Sequence, residues 1–589
     1  MISFLFLLII LLLIYLISYL PGRLLMQLFP FDFRVKFAAS FGLSFFLYYL
    51  ASLLAYITGI SYTFEFVFIL ILFLFLIYYL YKKNNLFILK QEVNLLVIFF
   101  LGFVFVISMQ GLQPYYSGGG SYWDWFEYYY RSLIFHDRLP AFTGIGNSLL
   151  PQRMPLYNAA AAFVMSIFGR DYWVYQIIST LLNLTVLLPC YLLCSFITSA
   201  KHKKGDIFVL VISVGLLIPH IIYQITYPWT KALAVYYLLT GLFFILQANR
   251  EKKVQSIYFA FVFLALGHLV HQVTFPYIGV IILSFFVISI RNKELKHFIL
   301  ALVLHLFILS TWYSWSYYKY GASLAFASAP LFQMTKSFSI TEKIDIFAYN
   351  IKYTILPLVT ERYLNLTYND KNLIVLFYDR VLVFWGATLP TAVSLSLILS
   401  IGYYLFIKLE QIVKNKKLIL KVSYSNMLIL LVMLSGFLNL WFAFKAENMT
   451  GLMLFPVTLL IICFGINVII RLSENLGKKF VYTFMFLITL ESLLGIGTKA
   501  LIPRFLLDPN TNKSIDMRKD LLSLPEHLRY IGYAVHLQNY KLKTDFNLVL
   551  LYDKFSDVQS VFMVIFISGW VLLIISLYRS LRFLTEKKE

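Results

Sequence analysis

Fifteen apolar runs of bilayer-spanning length recur along the chain, and no other feature of the sequence constrains the fold as tightly. A hydrocarbon core takes about 20 apolar residues per helix, within a range of about 17 to 25. The runs lie near residues 3–20, 37–58, 64–81, 93–110, 172–198, 207–226, 232–248, 254–272, 274–290, 298–318, 381–407, 427–444, 449–470, 480–500 and 560–578. Composition agrees. Of 589 residues, 60% are hydrophobic and 13% charged, against about 25% charged in a soluble chain, so there is too little polar surface to cover a globule. The expected fold class is all-α: a polytopic integral membrane protein of about 15 transmembrane helices with large extracytoplasmic loops. Met1 to Leu20 has neither a basic leading region nor a small-residue cleavage site, and reads as a retained span.

The net charge of +21 suggests a nucleic-acid partner only if the cations share one exposed face. They do not. They come in small clusters between apolar runs: Arg23/Arg34/Lys36, Lys82/Lys83/Lys90, Lys201/Lys203/Lys204, Arg250/Lys252/Lys253, Arg291/Lys293/Lys296, Lys408 to Lys421, Arg471/Lys478/Lys479 and Arg579 to Lys588. These fall on alternate sides in unbroken order, so by the positive-inside rule their loops are cytoplasmic, the N-terminus is external and the C-terminus cytoplasmic. The apolar segment Met154 to Phe168 breaks this alternation if it crosses, so it is expected to lie flat on the outer surface. Cys190, Cys194 and Cys463 sit inside apolar runs and offer no disulfide framework or CxxC metal site.

Ionisable residues at membrane depth or at span ends are costly and point to function. Asp124, Glu127, Lys231, His268, His271, Lys445, Glu447 and Lys499 all fall on the outer side, and few polar groups (Asn183, His220, His305, Glu491) lie near mid-membrane. The first outer loop, 111–171, runs from a glycine stretch into Tyr122-Trp123-Asp124-Trp125-Phe126-Glu127-Tyr128-Tyr129-Tyr130-Arg131. On a helix Asp124, Glu127, Tyr128 and Arg131 share a face, two carboxylates and a cation beside aromatics suited to stacking on sugar rings. The same spacing suits a helix capped by Ser121 with an ordinary Glu127–Arg131 surface pair, and spacing alone does not choose. Lys231, in the turn Tyr227-Pro228-Trp229-Thr230-Lys231, is placed to bind a phosphate or to snorkel to headgroups, the commoner behaviour. His268 and His271 share a face near the outer end of their span; a His pair more often lines a helix contact than binds metal, and no HExxH spacing is present.

In that order, the span ending at Gln110, the acidic loop, the segment after Gln152-Arg153-Met154-Pro155-Leu156-Tyr157 and the turns carrying Lys231 and His271 resemble the C-type (GT-C) glycosyltransferases over roughly residues 93–320. The resemblance implies a polyprenyl-phosphate-linked sugar donor used on the outer face. The bilayer and that donor are the partners, the acceptor stays unidentified, and no nucleic acid is implied. By the family's pattern Asp124 is the base or acceptor-orienting carboxylate and Glu127 its partner or a metal ligand. Arg131, Arg153, Lys231, His271 and Tyr128 contact the donor's phosphate and sugar. A divalent metal (Mg or Mn) is the cofactor such a motif holds, with Asp124, Glu127 and His271 as ligands. Here two residues separate the acids, where the family pattern is Asp-x-Asp or adjacent acids.

The regions expected are 1–92 (N-terminal helices), 93–320 (GT-C-like core), 321–380 (outer loop), 381–500 (C-terminal helices), 501–559 (outer loop) and 560–589 (last helix and tail). Two other readings fit a many-span chain: a lipid-linked glycan flippase, and an O-antigen polymerase or ligase, for which Arg504, Arg518 and Arg529 in the late loop speak. The Lys-, Asn- and Ile-rich composition suggests a bacterial inner membrane and cell-envelope glycan biosynthesis. Asn-x-Ser/Thr triplets at Asn365, Asn448 and Asn512 face outward; Asn183 lies mid-membrane and cannot be an acceptor.

Overall fold

The computed structural model describes residues 2–60, 63–82, 90–113, 124–141, 149–198, 204–325, 338–355, 384–386, 388–415, 424–443, 449–500 and 549–586. Every regular element among them is helical. The N-terminal helices are α1 (Ile2–Gln27), α2 (Phe33–Thr58), α3 (Thr63–Lys82) and α4 (Lys90–Gly111). The first outer loop contributes α5 (Asp124–His136) and α6 (Leu156–Phe168). Next come α7 (Tyr172–Leu184), α8 (Leu187–Ile197), α9 (Lys204–Leu217), α10 (Pro219–Thr226), α11 (Lys231–Glu251), α12 (Val254–Val270), α13 (Phe275–Arg291) and α14 (Leu295–Tyr320). The remainder forms α15 (Ile340–Ile355), α16 (Leu389–Val393), α17 (Leu395–Asn415), α18 (Tyr424–Asn439), α19 (Phe455–Leu476), α20 (Lys478–Ser492) and α21 (Gln559–Glu586).

Eleven helices among the described residues are long and apolar enough to cross a membrane, twelve counting α9 and α10 as one bent span. The chain is therefore polytopic and integral to the membrane, as its sequence predicts. All fifteen apolar runs fall on helices, but not all as straight spans. Two become shorter helices, Val254–Val270 and Tyr424–Asn439, and α9 meets α10 at 82°. The run at 381–407 begins too early: Pro390 opens the short α16, and Ser394 at φ 99° ends it before α17 starts. The freed N-terminus of α17 is met by Glu491 of α20, whose carboxylate accepts from Leu395 N at 2.8 Å, Ser396 N at 3.2 Å and the Ser394 hydroxyl at 2.7 Å. A carboxylate at a helix N-terminus satisfies orphan donors and the dipole together, which gives this mid-membrane acid a structural role.

The helix α6 does not lie open on a surface. Leu156 through Met165 are all buried, and α6 packs between α2, α5 and α7. A helix apolar on all sides is enclosed rather than interfacial; Ala159 to Ala162 let its neighbours close in. The helices α2 and α3 brace this loop. Tyr48 of α2 stacks on Phe163 at 4.2 Å, Tyr56 donates to Leu139 O at 3.0 Å, and Glu65 of α3 pairs with Arg138 at 2.8 Å and accepts from Ser166 at 3.3 Å. Below them, Arg23 of α1 grips the buried Glu92 of α4 with two nitrogens, and Tyr19 donates to the same carboxylate.

The packing of α1 on α2 turns on Gly22. Its N–H donates to Ser44 Oγ at 2.8 Å, and a Cβ there would lie 1.8 Å from Ser40 O. Gly22→Ala is expected to drive the helices apart at a cost at or above the usual overpacking range of about 1–3 kcal/mol. Gly279→Ala, where a Cβ meets nothing within 4 Å, is the control. Unfolding temperatures of both variants in detergent check this, and equal values would refute it.

Candidate active site

The helix α5 carries the acidic loop residues, and its buried face holds the centre of the site. Glu127 (1% exposed) and Arg131 (0% exposed) sit one turn apart, with Arg131 Nε donating to Glu127 Oε1 at 2.9 Å. Arg153, from the segment between α5 and α6, approaches the same carboxylate: Nε to Oε1 at 3.2 Å and Nη2 to Oε2 at 3.4 Å. That segment is fixed by Arg131, whose Nη1 donates to Leu150 O at 3.1 Å, and by Gln152, whose side chain accepts from Leu149 N at 2.7 Å. One carboxylate thus orders two guanidiniums from two segments. This is an ion triad with a buried Glu127–Arg131 pair and a partly buried Arg153, and not the exposed pair that spacing alone left open.

Burial by itself would push the Glu127 carboxyl up; Arg153 and Arg131 outweigh it, and the group is held below the ordinary glutamate range. Because the folded value is the lower one, its stabilising contribution is complete above the unfolded value of about 4.3 and is lost as acidification protonates Glu127 below that. The gap in unfolding temperature between wild type and Glu127→Gln is expected to be wide at pH 6 and to narrow by pH 3.5. A gap that does not change with pH would argue against this.

Further polar groups join from across the fold. His271 ends α12 in extended conformation, its Nδ1 accepting from Val273 N at 3.0 Å, so the neutral ring carries its proton on Nε2. Lys231 and Arg153 lie near enough to His271 for their charges to act on its ring, and His268 is also close by. Lys231 opens α11, is 8% exposed, and places Nζ 4.0 Å from the Trp229 ring centroid, so it is enclosed by protein instead of snorkelling to headgroups. His268 bonds Tyr313 Oη at 2.9 Å, and Tyr313 reaches Met154 beside Arg153. Residues from α5, the 149–155 segment, α11 and the end of α12 converge on one place, although the chain between the first and last spans more than a hundred residues.

No family model matches this chain, and no curated protein does. Two solved structures are similar to it. They are crystal structures of ArnT from Cupriavidus metallidurans, one bound to undecaprenyl phosphate and one in the apo state. Each has a TM-score of 0.43 and 10% sequence identity, covering 84% of this chain and 76% of that chain.

Of the residues expected at the site, Glu127, Arg131, Arg153, Lys231 and His271 are brought together. Asp124 is the first residue of α5, and its side chain lies outside the described residues, as do Lys445, Glu447, Arg504, Arg518, Arg529, Asn365, Asn448 and Asn512. Tyr128 is 2% exposed, in T-shaped contact with Tyr157 at 6.3 Å, which puts it in the core behind the ion triad and not on an open face for a sugar. Glu127 and His271 do not fit a divalent metal as placed: both Glu127 oxygens accept from guanidinium groups, and Nδ1 of His271 accepts a backbone N–H. Among the described residues no three His, Cys, Asp or Glu side chains converge.

The sequence reading missed a polar layer behind the Tyr227–Thr230 turn. Lys499 (2% exposed) donates to Thr226 Oγ1 at 2.8 Å and lies 4.4 Å from the Tyr223 ring centroid. Gln110 donates to Thr226 O at 2.9 Å, Asn183 to Tyr227 O at 2.9 Å, and Trp229 Nε1 to Gln224 Oε1 at 3.1 Å. The turn bearing Lys231 is thereby held from three helices. Gln110 at a span end and Asn183 within one were the visible signals, each meaningful only once its distant carbonyl partner is known.

Proposed function

We propose that the chain is a membrane glycosyltransferase that moves a sugar from a polyprenyl-phosphate donor to a lipid, glycan or protein acceptor at the extracytoplasmic face. The observation that carries this reading is that, among the described residues, Arg131 and Arg153 share one buried carboxylate, Glu127, while Arg153 and Lys231 both lie near His271. That surplus of positive charge, enclosed by protein, suits a phosphate that gains negative charge as it leaves. In the step proposed, the bond from the sugar's anomeric carbon to the phosphate oxygen breaks and the electron pair leaves with the polyprenyl phosphate. The acceptor oxygen bonds that carbon and gives its proton to Asp124. Arg153, Lys231 and His271 hold the departing phosphate; Glu127 orients the two arginines and takes no proton. The described donors fit no metal, and none is assigned a step. The sidedness rests on the alternating charge of the short loops, with the N-terminus outside, the C-terminus cytoplasmic and a bacterial inner membrane as the setting.

A second reading, a lipid-linked glycan flippase, is favoured by one observation: the 82° break between α9 and α10, since broken helices mark transport paths. Lipid profiles of cells lacking the protein separate the two. Accumulated polyprenyl-phosphate sugar supports the transferase; accumulated diphosphate-linked oligosaccharide points to the flippase, or to an O-antigen polymerase or ligase, and removes the transferase reading.

A further inference from the structure

The helix α15, in the loop expected over 321–380, carries three distinct faces. Ser339 and Glu342 cap its start in a reciprocal box: Ser339 N and Oγ donate to Glu342 Oε2 at 2.7 and 2.8 Å, and Glu342 N donates to Ser339 Oγ at 3.3 Å. One face packs on the protein through buried Ile346, Asn350 and Thr354. A second face, holding Glu342 and Asp345, is polar and exposed. The third face is apolar and, apart from Ile351, which packs in part against the core, exposed among the described residues. Ile340 (74% exposed), Ile344 (53%) and Ile355 (48%) line up with Ala348 and Ile351, spaced as successive turns of a helix require. A cavity of about 460 Å³ opens along this face, with Lys352 at its margin beside Ala348, Ile351 and Ile355.

We propose that α15 lies in the plane of the bilayer surface, with the Ile340–Ile344–Ile355 stripe in the acyl chains of the adjoining leaflet. Two features name the lipid as occupant. The stripe belongs to a helix that adjoins an exposed apolar one: α15 rests on the turn Leu440–Phe442 that ends the apolar helix α18, with Phe347 and Trp441 rings 5.7 Å apart. The outward row of α18 is Met427, Leu430, Leu434 and Leu438, each about half exposed. Lys352 borders the stripe where its stem can follow the apolar surface and its ammonium reach a headgroup phosphate. A helix with one apolar face, a charged face and modest overall hydrophobicity is the kind that settles at the headgroup boundary. The proposal is independent of the sugar-transfer reading and of which leaflet is involved.

Single cysteines in place of Ile344 and, as the polar-face control, Asp345 test it. The native thiols Cys190, Cys194 and Cys463 are all buried, so an exposed new cysteine is labelled selectively with an environment-sensitive fluorophore, against a wild-type blank. In phosphatidylcholine nanodiscs, lipids with brominated chains are expected to quench the label at 344 several-fold more than at 345, and aqueous iodide to show the reverse. Equal iodide quenching at both positions would overturn the proposal, because the stripe then faces water. Protection of position 344 from both quenchers would overturn it too, because another part of the chain then covers the stripe.

Discussion

Asp124→Asn is expected to lower sugar transfer by about 100- to 10,000-fold, the span a positioned general base contributes, while leaving the unfolding temperature unchanged. Asparagine keeps the size of the side chain and removes its capacity to take the acceptor's proton. The position supports the assignment: Asp124 is the first residue of α5, three before Glu127, so both belong to one face at the end of a helix whose dipole favours negative charge. Glu127 cannot stand in for it, because Arg131 and Arg153 occupy its oxygens. Transfer from a radiolabelled polyprenyl-phosphate donor in membranes measures the effect. Wild-type rates in the variant would take Asp124 out of the mechanism.

The second large effect is on stability. Glu127→Gln is expected to cost about 3–5 kcal/mol, the range for removing one member of a buried ion pair. The cost falls on what remains, since Arg131 is fully enclosed and its bonds to the carbonyls of Leu149 and Leu150 leave its charge unbalanced, with Arg153 beside it. Removing the cation as well relieves most of that penalty, so Glu127→Gln combined with Arg131→Gln is expected to be more stable than the single glutamate variant. Unfolding temperatures of purified protein in detergent decide the matter, and a double variant less stable than Glu127→Gln would show that the pair is not the source of the cost.

The architecture was legible because hydropathy along a membrane chain is a one-dimensional signal: span length and loop charge need no knowledge of contacts. It failed where a local residue overrides the apolar average, as Pro390 and Ser394 do before α17 and Pro219 does at the α9–α10 bend. The site was legible as a set of charges on one side, and Glu127 with Arg131 as an i,i+4 pair. What spacing could not supply was Arg153 closing on Glu127 from 26 residues away, or the burial that turns Tyr128 from a sugar platform into core. Glu65 with Arg138 and Glu92 with Arg23 were hidden for the same reason: each partner is distant in sequence, Arg138 in the turn after α5 and Arg23 on α1.

The break between α9 and α10 also bears on how the chain is made. A sharply bent segment exposes carbonyls that hydrocarbon cannot satisfy, so α10 has no stable existence alone in lipid. Its last carbonyls are met by the amide of Asn183, which bonds Ile225 O and Tyr227 O, and by that of Gln110, which bonds Thr226 O. Both amides precede α10 in the chain. During synthesis from the N-terminus, α4 and α7 therefore leave the ribosome before the carbonyls that their amides meet.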